Sequence, residues 1–219
     1  MIPAWLTNTS FACLDLETTG VDPQNDRIVE IGILHTDRGA VAPEAAIWRL
    51  NPGVPIPAGA SQVHGITDEA VRHAPAFGDI ARDVALLLAG RVLVGYNAVP
   101  FDWPMLAAEF GRAGLGAPAP AGVLDVLVFI RHFDRYVSGK GRHKLATTAK
   151  RWGVPDTGAH SVDGDMRMAW AILWAMVDRH ATRPDQTIEQ TLAWQEKTIP
   201  VQQAAFAEWL ARQPPKEAA

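Results

Sequence analysis

The strongest constraint on this chain is a ten-residue run near its start, Phe11-Ala12-Cys13-Leu14-Asp15-Leu16-Glu17-Thr18-Thr19-Gly20. Its apolar residues predict a buried strand, yet two acids, Asp15 and Glu17, interrupt it two positions apart. Side chains alternate along a strand, so residues i and i+2 share a face and sit about 7 Å apart along the chain. Both carboxylates therefore point the same way on a largely buried sheet, where two like charges are costly unless a cation joins them. Hard divalent ions such as Mg²⁺ prefer carboxylate oxygens and commonly work on phosphate substrates. The stretch predicts half of a metal site.

Composition sets the surroundings of that site. A length of 219 residues suits one good-sized domain, alone or with a small appendage, and has ample sequence for a core. Hydrophobic residues at 48% and charged residues at 20% give a globular balance and argue against overall disorder. The single cysteine, Cys13, excludes an internal disulfide framework, and its place in the apolar strand predicts a packed, inert thiol. There is no basic start followed by an apolar run of signal type, and no run long enough to span a bilayer. A cytoplasmic protein with no membrane partner is expected. A formal net charge of -4 argues against gripping nucleic acid over a broad basic surface. It leaves room for an enzyme that holds a strand end through metals.

Three strands are expected at residues 11–17, 27–34 and 45–50, the second pairing antiparallel with the first, to give a meander. A loop with Pro52, Pro55 and Pro57 follows, and Thr67 can cap a short helix. Apolar residues then recur at helical spacing over 77–88, and a short central strand is expected at 91–96. The change from meander to alternating strand and helix is the pattern of a mixed sheet covered by helices. Helices are expected at 126–133, with Asp125 as cap, and at 145–152. The glycine-loosened basic segment 131–144 reads either as a strand-holding loop or as a solvated one. Near the end, Thr187 and Gln190 form a capping-box start for a helix to about residue 197. Thr198-Ile199-Pro200 then punctuates, and Val201, Ala205, Phe206, Trp209 and Leu210 make an apolar stripe on a last helix.

The run Leu14-Asp15-Leu16-Glu17-Thr18-Thr19-Gly20 resembles the first motif of the DEDD exonucleases, in the DnaQ-like branch that includes the proofreading subunits of bacterial replicases. Two further matches follow in order. Gly95-Tyr96-Asn97-Ala98-Val99-Pro100-Phe101-Asp102 resembles the second motif, with Asp102 at the mouth of a helix where a cap would also sit. Asn97 and Phe101 are separated by three residues instead of the usual two, which resembles the exonuclease I-type members. Gly158-Ala159-His160-Ser161-Val162-Asp163-Gly164-Asp165 resembles the third motif in its histidine-bearing form: a histidine, four residues, then an aspartate. Asp163, the nearest decoy, reads as a helix N-terminal residue favoured by the macrodipole.

The resemblance implies a ribonuclease H-like α/β fold: a mixed five-stranded sheet flanked by helices over residues 1–180, with a short C-terminal helical appendage over 181–219. It also implies a 3′→5′ exonuclease, similar to the epsilon subunit of DNA polymerase III, that hydrolyses terminal phosphodiesters of single-stranded nucleic acid to nucleoside 5′-monophosphates. DNA is the favoured substrate. Asp15, Glu17, Asp102 and Asp165 would hold two divalent cations, Mg²⁺ or Mn²⁺, about 4 Å apart. His160 would be the base, since a neutral imidazole with a pKa of about 6.5 suits proton removal from water. Around the terminal nucleotide the resemblance sets Leu16, Thr18, Thr19, His64, Asn97, Phe101 and Trp103, with packed-core or loop roles as the alternative for each. An RNA-directed exoribonuclease and a non-catalytic nucleic-acid-binding or polymerase-associated module remain open. The C-terminal helices would fold back on the domain or dock a partner, whether a DNA polymerase or a second copy.

Overall fold

A computed structural model describes residues 2–134, 136–137, 139, 141–156, 161–180 and 185–212. Ahead of the first strand lies a short helix, α1 (Ala4–Asn8), whose Trp5 and Leu6 are buried. Strands β1 (Ser10–Thr18) and β2 (Ile28–Asp37) pair antiparallel along their whole length. β3 (Ala40–Val41) and β4 (Ala46–Arg49) both pair antiparallel with β2, so the meander forms as expected. The proline-rich loop is not wholly irregular. It holds α2 (Ala58–His64), which ends on Gly65 at φ 75°, and α3 (Asp68–Val71), where the Thr67 cap accepts from the Ala70 amide.

Next come α4 (Phe77–Leu88), β5 (Val92–Gly95) and α5 (Asp102–Arg112). β5 runs parallel to β1, and β6 (Gly122–Asp125) runs parallel to β5. The sheet is therefore mixed, in the order β3-β2-β1-β5-β6 with β4 also on β2, and has six strands where five were expected. β3 is too short for periodicity to mark, and β6 passes directly into α6 (Val126–Phe133), so its residues read as a helix entry. α7 (Leu145–Trp152) and α8 (Val162–His180) complete the main body.

Alternation along β1 divides the core in two. Ala12, Leu14 and Leu16 pack with α4 and α5 on one face, through Leu88, Leu106 and Phe110. Phe11 and Cys13 pack on the other with α6 and α8, where Phe11 meets Trp170 at 5.2 Å between ring centroids. Asp15 and Glu17 continue that second row, on the face that α8 crosses.

The C-terminal region differs from the expected helix pair. One helix, α9 (Ile188–Ala211), starts at the Thr187–Gln190 capping box and runs through Pro200. A proline inside a helix loses one hydrogen bond and costs about 3 kcal/mol. Side-chain anchors on both sides of it offset that cost: Gln195 binds β6, and Gln202 Nε2 donates to the Val128 carbonyl at 2.9 Å. α9 thus folds back on β6 and α6.

Candidate metal centre

β1 presents Asp15 and Glu17 side by side, and the first turn of α8 brings Asp165 down onto them. One carboxylate oxygen from each of the three lies within 4.8 Å of the others. The approach depends on Gly32, which is the register partner of Asp15 on β2. A Cβ at Gly32 would lie 2.7 Å from Met166 Cε and 3.0 Å from Val162 Cβ, so a larger residue here presses on α8. Asp163 faces elsewhere, paired with Arg167 at 3.0 Å one turn along the helix.

Asp15, Glu17 and Asp102 all resist ionisation. Burial pushes Asp15 well above the usual carboxylate range, and the charges of Asp102, Asp165, Glu17 and Glu30 push it further. Burial, then Asp165 and Glu30, raise Glu17 to about 7. Asp102, the first residue of α5 and only 3% exposed, stands outside the triplet, yet its charge acts on Asp15. Its own carboxyl is raised to about 8 by burial first and then by Asp125 and Glu17. Glu30 lies opposite Glu17 across the strands and is held by Arg49 at 2.9 Å. A set of oxygen donors that repel one another, without a cation among the charges that act on them most strongly, fits hard divalent ions.

Thr18 Oγ1 donates to the Gly20 carbonyl at 2.6 Å, and Thr19 Oγ1 donates to Asp26 Oδ1 at 2.9 Å. The Thr19 amide donates to the Arg27 carbonyl at 2.9 Å. His64 Nδ1 accepts from the Ile66 amide at 3.0 Å. Burial lowers the pKa of His64, although the Thr18 backbone and Glu30 lie close enough to oppose the shift. Asn97 takes a left-handed conformation at φ 76° in the loop before α5. Phe101 and Trp103 are half-buried beside the core that holds Leu16, which is itself buried on the α4 and α5 face. His160 lies outside the described residues.

Two neighbours escaped the sequence reading. Asp125 caps α6 through the Leu127 amide, as expected, but also accepts from the amides of Asn97 and Val99. Glu30 acts on both Asp15 and Glu17. Each is an acid at or inside an apolar strand, the same signal that singled out Asp15.

Residues 12–173 match the model of the exonuclease family RNase_T. The chain belongs to that exonuclease family. It is a DEDD-type 3′→5′ exonuclease of the ribonuclease H-like fold, and divalent-metal use comes with the family. The exonuclease chain is 31% identical over 177 residues to the DNA polymerase III subunit epsilon of Treponema pallidum (strain Nichols), covering 80% of this chain and 79% of that protein. It is 35% identical over 164 residues to a DNA polymerase III subunit epsilon-like protein of Rhodobacter capsulatus, covering 73% of this chain and 22% of that one. Among solved structures, the zinc-bound E. coli ExoI–ssDNA complex has a similar fold at a TM-score of 0.71 and 22% identity. The match covers 80% of this chain and 42% of that one. Among the described residues no helix is long and apolar enough to cross a membrane.

Proposed function

We propose that this exonuclease removes nucleotides one at a time from the 3′ end of single-stranded DNA and releases nucleoside 5′-monophosphates. The convergence of Asp15, Glu17 and Asp165 oxygens within 4.8 Å, with buried Asp102 acting on Asp15, carries the reading. Those four acids would hold two divalent ions, Mg²⁺ or Mn²⁺, which when bound supply an acidified water and charge neutralisation for the leaving oxygen.

The protein's own groups do the rest. His160, five residues before Asp165 in the chain, takes the proton that water loses as its oxygen bonds to phosphorus. The bond from phosphorus to the 3′ oxygen of the preceding nucleotide breaks, and the shortened strand leaves with a free 3′ hydroxyl. Thr18, Thr19, His64 and Asn97 border the terminal nucleotide in this reading. Phe101 and Trp103, which flank Asp102 in sequence, supply aromatic surface against which a terminal base can unstack. Leu16 would shape the pocket floor from the core side.

Residues 1–180 form the catalytic part in this assignment and 181–219 the C-terminal appendage. The relatives named as polymerase subunits support a DNA polymerase as partner. The exposed end of α9, with Val201, Phe206, Trp209 and Leu210, is the surface we assign to it.

The test uses 5′-labelled DNA and RNA oligomers, single- and double-stranded, with Mg²⁺, Mn²⁺ or chelator. A metal-dependent ladder that shortens single-stranded DNA from its 3′ end is expected. Degradation of RNA alone would replace the substrate by an RNA 3′ end, and no degradation of any oligomer would overturn the proposal.

A further inference from the structure

Among the described residues β6 is the last strand on its side of the sheet, and its outer edge does not meet another strand. That edge meets a side chain. Gln195 of α9, 3% exposed, accepts from the Asp125 amide through Oε1 at 2.7 Å and donates through Nε2 to the Val123 carbonyl at 2.8 Å. Residues two apart on a strand turn their backbone groups to the same edge, so one carboxamide can serve both, as a neighbouring strand would. The backbone fixes which way the amide points, since the N–H needs an oxygen and the C=O needs an N–H.

Asp125, 1% exposed, carries the constraint inward. Oδ1 accepts from the amides of Asn97 and Leu127, both at 2.9 Å, and Oδ2 accepts from the Val99 amide at 3.2 Å. Both Asn97 and Val99 belong to the β5–α5 loop, where Asn97 already holds a left-handed conformation. Between them, the Ala98 carbonyl accepts from the Trp103 amide at 2.9 Å, which ties the loop to the first turn of α5. Asp102 is the first residue of that turn. Three hydrogen-bonded links therefore lead from α9 to the turn of α5 that carries Asp102, the one acid of the centre not on β1 or α8.

We propose that Gln195 is a positioning residue for the metal centre: its clamp on the edge of β6 fixes Asp125, which fixes the 97–99 loop and so aims Asp102. The C-terminal helix then belongs to the working site and is not only a docking arm. The inference rests on the exonuclease reading for what the centre does, but not for whether the centre binds ions.

Calorimetric titration with Mn²⁺ tests it on the full chain. Gln195→Met keeps the side chain's length and removes both polar atoms. Losing a group that orients a metal ligand commonly weakens metal binding about 10–100-fold, and that loss is expected here. Gln195→Ala is the second variant should Gln195→Met not fold, with the same expectation. The control is Val71→Ala, in the small separate cluster of Val29, Ile56 and Ile66, which lowers the melting temperature without touching the β6–loop–α5 links. Asp125→Asn should weaken Mn²⁺ binding in the same way, and the double variant should lose little more than either single one, because both act through one set of links. With an oligonucleotide, the Mn²⁺ concentration for half-maximal rate should rise. Gln195 variants that bind Mn²⁺ like wild type, or lose no more than Val71→Ala, would overturn the proposal, as would losses that add fully. If wild type binds Mn²⁺ but digests nothing, the proposed function fails, and the calorimetry still decides on Gln195.

Discussion

Asp15 and Gly32 stand directly opposite each other on β1 and β2, and the bare backbone at Gly32 is what admits the α8 turn that brings Asp165 to Asp15. In Gly32→Val the Cβ alone already presses on Met166 and Val162, and two further methyl groups must be accommodated. Overpacking of this kind costs about 1–3 kcal/mol, and here the strain falls where α8 approaches the acids. A folded but nearly inactive protein is expected, read by melting temperature and oligonucleotide digestion together. Full activity in Gly32→Val would show that α8 need not lie this close.

Metal and protons compete for the same oxygens. In the metal-free protein Glu17 titrates at about 7, against an ordinary glutamate value of 4.5. Between those values the folded state keeps a proton that the unfolded state has lost, so metal-free stability falls as pH rises through this window. A divalent ion needs the deprotonated carboxylates and relieves their repulsion above it. Mg²⁺ or Mn²⁺ should therefore raise the melting temperature more at pH 8 than at pH 5.5. An equal rise at both would contradict the shared site.

Glu109 behaves in the opposite sense. It is 2% exposed and receives Arg27 Nε at 2.8 Å, the Ile28 amide at 3.1 Å and Arg112 at 3.2 Å. Burial alone would raise its pKa, but these donors outweigh burial and hold it below the usual range. Its contribution is present above the unfolded pKa and is lost as pH falls through the lower folded value. Glu109→Ala removes the acceptor of the Ile28 amide and of Arg27 Nε, while Arg112 keeps the Pro23, Gln24 and Asp26 carbonyls, and should cost about 1–3 kcal/mol in urea unfolding at neutral pH. The gap between variant and wild type should narrow in acid, and a gap that widened would exclude this account.

Much of the molecule was legible because its signals are local. Helices α4, α6 and α7 carry complete apolar periodicity between clear start and stop residues, and they fall at the expected positions. The acids of β1 declared themselves by interrupting an apolar run. What escaped needs information from across the fold. Gly32 looks like any strand glycine until α8 is above it, and Asp125 looks like a cap until the 97–99 loop is beside it. Pro200 marks a helix end by local rules, whereas the grip of Gln195 and Gln202 on the domain carries α9 through it.

His160 has a narrower role in this account than the acids. His160→Ala should lower turnover by a factor of about 10²–10⁴, the range for a positioned base, and leave Mn²⁺ binding nearly intact. An end-labelled oligonucleotide digested at the wild-type rate by this variant would remove His160 from the chemistry. Loss of Mn²⁺ binding would make it a ligand instead.

Asp165→Asn tests the centre most directly, because Asp165 is the one acid that α8 adds to the β1 pair. Wild type and variant, matched for melting temperature, are given a 5′-labelled single-stranded oligonucleotide with saturating Mg²⁺. Wild type should shorten it stepwise from the 3′ end, and Asp165→Asn should leave it intact over the same time. A wild-type ladder from Asp165→Asn would mean that the three converging carboxylates are not the seat of catalysis.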